Sequence, residues 1–237
     1  MTIQNGATRM AAYRRPTFRR HHTVAISYNT ALLGKLFAPG ISEFTAFDAP
    51  DIAGAHPEAP HWLANHFLNS ILRGEYKNKY RQYAINQIYR AQTAFADYHE
   101  ARTLTTEFLA KGKPDNPASR AYFRAVARWE SCLLNLQIFI DVMNKMKKDF
   151  KDEPVFKEDD GTPEQRAYGI ANTVKQWGTE IFAGRHDEGD TVPLWLTNAG
   201  LKTRTLGITY AELANLVSEV ATVADELQDP KSFANLE

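Results

Sequence analysis

The long helical periodicity of residues 77–110 is the feature that most restricts what this chain can fold into. Apolar side chains recur there every three or four residues, at Tyr80, Ala84, Ile88, Ala91, Phe95 and Tyr98. Because an α-helix turns once in about 3.6 residues, this spacing places them on one face. The segment therefore predicts one long amphipathic helix, which ends at Gly112 and Pro114.

Start signals and apolar spacing delimit further helices on both sides of this segment. Residues 61–73 show the same spacing and are followed by a glycine. A later helix begins at Pro117, where the missing backbone N–H is no loss, and extends to about residue 148. Asp115 or Asn116 is its predicted N-cap.

Two capping boxes predict where the last two helices begin. The motif Thr162-Pro163-Glu164-Gln165 combines such a box with proline at the first helical position, and Gly184 ends the helix that follows. The motif Thr209-Tyr210-Ala211-Glu212 opens the last helix, which ends at Asp229-Pro230.

A short β-hairpin is predicted before the last helix. Residues 191–196 alternate between apolar and polar side chains, Asn198-Ala199-Gly200 forms a turn, and residues 201–205 return. The predicted fold is therefore all-α, a bundle of four to five long antiparallel helices with a small hairpin before the last one. We predict a basic arm and irregular segment over 1–56, followed by the bundle over 57–237.

The charge of the chain is balanced overall but unevenly distributed. It has 28 basic and 28 acidic residues, yet no acidic residue precedes Glu43. The neutral total excludes a strongly basic nucleic-acid coat, whose affinity comes from phosphate contacts. Any contact with RNA is therefore expected to be local, through the basic arm or through Lys77, Lys79 and Arg81, which are interleaved with tyrosines.

Several kinds of site are absent from the sequence. It contains no HExxH motif, no phosphate-binding glycine loop and no GxSxG motif, so we expect no metal and no cofactor. His66 is expected to be partly buried with a hydrogen-bond partner, and His99 to be solvated. The single cysteine, Cys132, lies in an apolar stretch and is expected to be a buried packing residue.

The sequence shows neither a membrane span nor a secretory signal, and this bears on the expected compartment. No run approaches the roughly 18 apolar residues of a membrane span, so no membrane partner is expected. Residues 23–37 are interrupted by polar side chains and do not match the apolar core of a secretory signal. Together with a single cysteine, these features favour a cytoplasmic protein.

Residues 80 to 228 resemble the HEPN family (higher eukaryotes and prokaryotes nucleotide-binding), in one branch of small bacterial proteins. The resemblance rests on the order of the long helices and on two segments. One is Ile170-Ala171-Asn172-Thr173-Val174-Lys175-Gln176-Trp177, and the other is residues 192–201, followed by a capped helix. The resemblance implies a helical bundle that dimerises. Active members of the family are metal-independent ribonucleases with an arginine, a polar residue, spacers and a histidine on a late helix.

The catalytic motif of the family is incomplete in this chain. Ala171 stands at the arginine position, Asn172 matches the polar position, Lys175 fits a spacer and Gln176 stands at the histidine position. Metal-free cleavage needs a group that exchanges protons near neutral pH and a cation on the phosphate. Alanine and glutamine supply neither, so the alignment predicts an inactive copy. Asn172, Lys175 and Gln176 remain candidates for binding.

The leading hypothesis is a dimeric, catalytically inactive module that binds RNA, a nucleotide or a protein, in a toxin–antitoxin or phage-defence setting that the resemblance implies. One alternative is a ribonuclease that uses other residues, such as His186 or His99 with Arg185 or Arg102. Another is an oligomeric scaffold. It would use residues 133–146 as its interface, because the helix there is apolar on more than one face.

Overall fold

The computed structural model describes residues 30–73, 78–111, 118–184 and 191–229. Six α-helices lie in these ranges: α1 Thr30–Leu36, α2 Trp62–Arg73, α3 Asn78–Lys111, α4 Ser119–Asp149, α5 Pro163–Phe182 and α6 Tyr210–Leu227. Two short 3₁₀ turns, Ala53–Ala55 and Ala59–His61, precede α2. The prediction of an all-α bundle is confirmed. The predicted cap residues Asp115 and Asn116 and the predicted first position Pro117 lie outside the described residues.

The apolar stripe predicted for the long helix is buried. α3 and α4 pack along each other over most of their length, and α6 lies against both. The described stripe residues of α3, from Ala84 to Tyr98, are all less than 9% exposed. Large aromatic side chains fill the core, each at most 2% exposed: Trp62, Tyr98, Tyr122, Trp129 and Tyr210.

Helix α4 occupies the centre of the bundle. It contacts α3, α5 and α6, so its apolar residues are covered from several sides within one chain. Leu133 and Leu136 are at most 1% exposed, and Phe139 and Ile140 at most 5%. Packing inside the chain therefore covers these four residues. The other apolar residues of the stretch are half-buried, namely Leu134, Ile138, Val142, Met143 and Met146, so the scaffold interface stays a prediction.

The irregular segment before α2 packs onto the bundle. Ile41, Phe44 and Ala49 belong to the same core as the helices. The Tyr98 hydroxyl of α3 donates to the carbonyl of Pro50 at 2.8 Å. The described part of residues 1–56 therefore lies against the helices, while residues 1–29, with the basic arm, lie outside the described residues.

A small antiparallel sheet lies between α5 and α6. Strand β1, Trp195–Leu196, pairs with β2, Gly200–Lys202, as the hairpin prediction requires. A third strand, β3, Gly207–Thr209, pairs with the other edge of β2 and was missed. The predicted return strand over 201–205 is too long, because Thr203 begins a turn in which its hydroxyl oxygen accepts from the backbone N–H of Leu206.

The two capping boxes differ. At α6 both halves are present, because the Thr209 side chain accepts from the Glu212 N–H and Glu212 accepts from the Thr209 N–H. At α5 only half of the prediction holds. Thr162 accepts from the Gln165 N–H, but the Gln165 side chain accepts from Gly161 instead of returning to Thr162.

Candidate functional site

The candidate binding residues of α5 have three different environments. The side chain of Ala171 is completely buried. Asn172 is half-buried, and its Oδ1 accepts a hydrogen bond from Nε2 of Gln137 on α4. Lys175 and Gln176, one turn later, are exposed. The candidate set is therefore one inward-facing amide held by α4 and two side chains that point to solvent.

A second hydrogen bond continues this polar contact one turn earlier. The Tyr168 hydroxyl of α5 donates to Oδ1 of Asp141 on α4 at 2.8 Å. Burial raises the pKa of Tyr168, and the hydrogen bond to the nearby carboxylate of Asp141 raises it further. The phenol therefore stays protonated at neutral pH and donates its hydrogen bond to Asp141.

The basic patch is only partly described. Lys77 lies outside the described residues, and Lys79 lies in the first turn of α3. Arg81 is exposed, and its charge lies close enough to His66 of α2 to lower the pKa of that imidazole, after the larger effect of burial. Nδ1 of His66 lies 2.9 Å from the Leu227 carbonyl, so the expected hydrogen-bond partner is present. The side chain is fully buried, not partly buried as expected.

The expectation that His99 is solvated is wrong. Its ring contacts that of Phe95 at a tilt of 59°, with centroids 4.6 Å apart, and its Nε2 atom is buried without a hydrogen-bond partner. Burial lowers its pKa. The neighbouring Arg102 donates to the Ala49 carbonyl and forms an ion pair with Asp51, so its guanidinium holds the segment before α2 in place. His186 and Arg185 lie outside the described residues.

A relay of three side chains that sequence reasoning missed joins the segment before α2 to α6. His56 is 6% exposed; its Nδ1 lies 2.7 Å from Oδ2 of Asp225 and its Nε2 lies 3.0 Å from the Ser218 hydroxyl. Trp62 donates from Nε1 to the other oxygen of Asp225 at 2.5 Å. The order serine, histidine and aspartate is that of a catalytic triad. No local signal predicts it, because His56 and Asp225 are 169 positions apart.

The placement of Ser218 argues against nucleophilic catalysis by this relay. Acyl transfer also needs free N–H donors for the oxyanion. Ser218 lies in the interior of α6, where backbone N–H groups are used by carbonyls four residues earlier. The relay therefore acts as a polar latch that satisfies the buried ring of His56 and fixes the preceding segment on α6.

An apolar cavity of about 170 Å³ lies between α4, α6, the start of α5 and the loop after α4. Most of its wall is hydrophobic, from Leu136, Phe139, Ile140, Met143, Val155, Leu216, Val220 and Val223. The carboxylate residues Glu164 and Glu219 also line it. No local sequence pattern predicts this cavity, because its walls come from separate helices whose apolar residues are typical of ordinary core positions.

The remaining expectations concern the single cysteine, metal ions and membranes. Cys132 is fully buried, and burial raises its pKa well above the usual range, so it is the packing residue that was expected. Within the described ranges no three His, Cys, Asp or Glu side chains are grouped so that they could hold a metal ion. None of the described helices has both the length and the apolar character that crossing a membrane requires.

Comparisons with known proteins add no family or function to this geometry. No protein-family model matches the chain, and neither a curated protein nor a solved structure is significantly similar to it.

Proposed function

We propose that this chain is a non-catalytic binding module with an HEPN-like bundle, acting as a homodimer. The proposal is based on the burial and hydrogen bonding of the α5 residues that the resemblance aligns with the ribonuclease motif. Ala171 is sealed in the core, the Asn172 carbonyl oxygen is occupied by Gln137, and Gln176 is exposed and does not titrate. A base and a phosphate-binding cation, which metal-free cleavage needs together, are therefore both missing from the motif positions.

The dimer contact that we propose is the outer face of α2. Its apolar side chains are unusually exposed: Phe67 at 41%, Leu68 at 60%, Ile71 at 77% and Leu72 at 81%. Contiguous exposed apolar side chains mark interaction surfaces. The spacing of Leu68, Ile71 and Leu72 places them on one side of the helix.

The distribution of charge supports a second copy of the chain as the occupant of this face. No residue from Trp62 to Leu72 is Asp, Glu, Lys or Arg. Six basic residues and no acidic ones precede Glu43, so the rest of the chain carries a net charge of −6. Two identical acidic bundles repel each other over most of their surfaces, and the uncharged face of α2 allows contact with the least repulsion.

RNA binding, in this proposal, is confined to the basic amino-terminal arm and the Lys77, Lys79 and Arg81 patch. The net negative charge of the bundle disfavours phosphate contacts elsewhere. RNA affinity is therefore expected to fall by at least about tenfold between 50 and 200 mM salt, as counterion release requires. An RNA affinity that does not change with salt contradicts this part of the proposal.

A cleavage assay tests the absence of catalysis. Purified protein is incubated with single-stranded RNA in the presence of a chelator, and no products are expected. Cleavage that is lost in Asn172→Ala or Gln176→Ala overturns the proposal, because it assigns the activity to the α5 positions.

Analytical ultracentrifugation tests the dimer. The chain has a mass of 26.8 kDa and is expected to sediment as a dimer, whereas Ile71→Glu is expected to be monomeric. Phe182→Glu is the matched control, because Phe182 is 94% exposed but lies at the end of α5. A monomeric wild-type chain, or a monomer produced equally by both variants, contradicts the α2 interface.

A further inference from the structure

The cavity between α4, α5 and α6 has the size of a small-ligand site. Its volume is about 170 Å³ and its wall is predominantly aliphatic and aromatic. An apolar protein cavity of about 150 Å³ is known to stay dry and to accept benzene. The cavity in this chain therefore has room for an apolar group of roughly six to ten non-hydrogen atoms.

Two carboxylates give this cavity an electrostatic preference. Glu164 lies in the first turn of α5, where the helix dipole stabilises a negative charge. Glu219 lies in the middle of α6, where the dipole gives its charge no such stabilisation. In the described part of the chain, neither carboxylate forms a hydrogen bond or an ion pair. Burial and the negative charge of Glu164 both raise the pKa of Glu219, so the two groups act on each other.

The combination defines the chemistry of a ligand. Glu164 is half-buried and Glu219 is exposed, so the two like charges lie where the apolar wall meets solvent. A cation near them offsets their mutual repulsion. A neutral apolar molecule would fill the cavity and leave that repulsion in place. A molecule with an apolar body and an ammonium group satisfies both parts of the wall.

We propose that this cavity binds a small hydrophobic amine, with its apolar body against Phe139, Leu216 and Val220 and its ammonium group at Glu164 and Glu219. This site is separate from the α5 positions considered above and does not depend on RNA binding or on the α2 dimer. It makes the chain a receptor for a low-molecular-weight cation.

The test compares three ligands of nearly equal size by isothermal titration calorimetry and methyl NMR. The 2-phenylethylammonium ion is expected to bind saturably and to shift the methyl resonances of Val220 and Val223. Uncharged 2-phenylethanol is expected to bind at least about tenfold more weakly, a difference of about 1.4 kcal/mol. Anionic 3-phenylpropanoate is expected not to bind. Equal affinities for the amine and the alcohol, or no binding of the amine, overturn the proposal.

Variants assign the binding to this cavity. Glu219→Gln is expected to weaken binding of the amine by about threefold to tenfold, since it removes one charge, and to leave binding of the alcohol unchanged. Glu43→Gln makes the same change in net charge and is the control. Glu43 is exposed and does not line the cavity, so this variant is expected to have no effect on binding. An equal loss in both variants contradicts a specific site.

A variant whose larger side chain fills the cavity provides a second test of where the ligand binds. Val220→Phe is expected to abolish binding of the amine and of the alcohol, because the larger ring occupies the space. If Val220→Phe does not fold, Val223→Phe, at a half-buried position of the same wall, replaces it as the filling variant. Amine affinity that is retained in a folded filling variant places the ligand elsewhere and overturns the proposal.

Discussion

Nδ1 of His56 lies 2.7 Å from Oδ2 of Asp225, which joins the segment before α2 to α6 across 169 positions of the sequence. The other oxygen of Asp225 accepts from Nε1 of Trp62. One carboxylate therefore contacts two ring nitrogens, one from the segment before α2 and one from the first residue of α2. Nε2 of His56 lies 3.0 Å from the Ser218 hydroxyl, so both ring nitrogens have a hydrogen-bond partner.

We expect Asp225→Ala to destabilise the fold by about 1–3 kcal/mol. The change leaves the buried His56 and Trp62 N–H groups without an acceptor, and an unsatisfied buried donor costs this amount. Urea unfolding followed by circular dichroism measures the effect. Asn215→Ala, an exposed position on the same helix, is the control and should stay within about 0.5 kcal/mol of wild type. A neutral Asp225→Ala would show that the latch contributes no stability.

Asn172 and Gln176 should differ in stability although they lie one turn apart. Asn172→Ala removes the acceptor of Gln137, which is only 3% exposed, and should cost about 1 kcal/mol. Gln176→Ala changes an exposed side chain and should be within about 0.5 kcal/mol of wild type. Chemical denaturation of both variants checks the difference. Equal effects would contradict a structural role for the Asn172 amide.

Gly200 and Gly178 should respond oppositely to alanine. A Cβ at Gly200 would lie 2.0 Å from the Ile208 carbonyl oxygen and 2.7 Å from Cα of Thr209, so β2 and β3 would have to separate. Gly200→Ala should cost about 2–4 kcal/mol, as overpacking against backbone does. Gly178 on α5 has no atom within 4 Å of the added Cβ, so Gly178→Ala should stabilise the helix by about 0.5–1 kcal/mol. Thermal denaturation distinguishes the two outcomes.

Acid should weaken the contact between α5 and α6 through Glu212. Arg166 on α5 donates to Glu212 at 2.6 Å, and this hydrogen bond, with that from the Thr209 N–H, lowers the pKa of Glu212 to about 2. A carboxyl whose pKa is lower in the folded state stabilises the fold above its unfolded pKa, and this contribution is lost as pH falls from about 4.5 towards 2. The pair is partly solvated, so the contribution is about 1 kcal/mol after screening.

A pH series of unfolding measurements checks the Glu212 prediction. Arg166→Met should lower the stability at pH 7 and should flatten the decline between pH 5 and pH 3. An Arg166→Met variant with the same pH dependence as wild type would assign the acid sensitivity to other groups.

Local patterns were sufficient for the helices and their ends. The periodicity from Ala84 to Tyr98, the complete box at Thr209 and the start at Pro163 depend on residues within one or two turns, so their interactions can be read along the chain. The box at Thr162 was only half right, because Asp160 accepts from the Thr162 N–H that Gln165 was expected to bind. One nearby carboxylate, that of Asp160, was enough to replace Gln165 as the acceptor of this N–H group.

The sequence by itself therefore determined an all-α bundle, the positions of its main helices and a hairpin before α6. The tertiary structure decided which polar side chains meet. It alone placed Asp225 beside His56, Gln137 against Asn172, and Glu219 at the wall of an apolar cavity. The reason is that helix formation depends on neighbours three and four residues away, whereas these contacts join different elements and depend on how the helices pack.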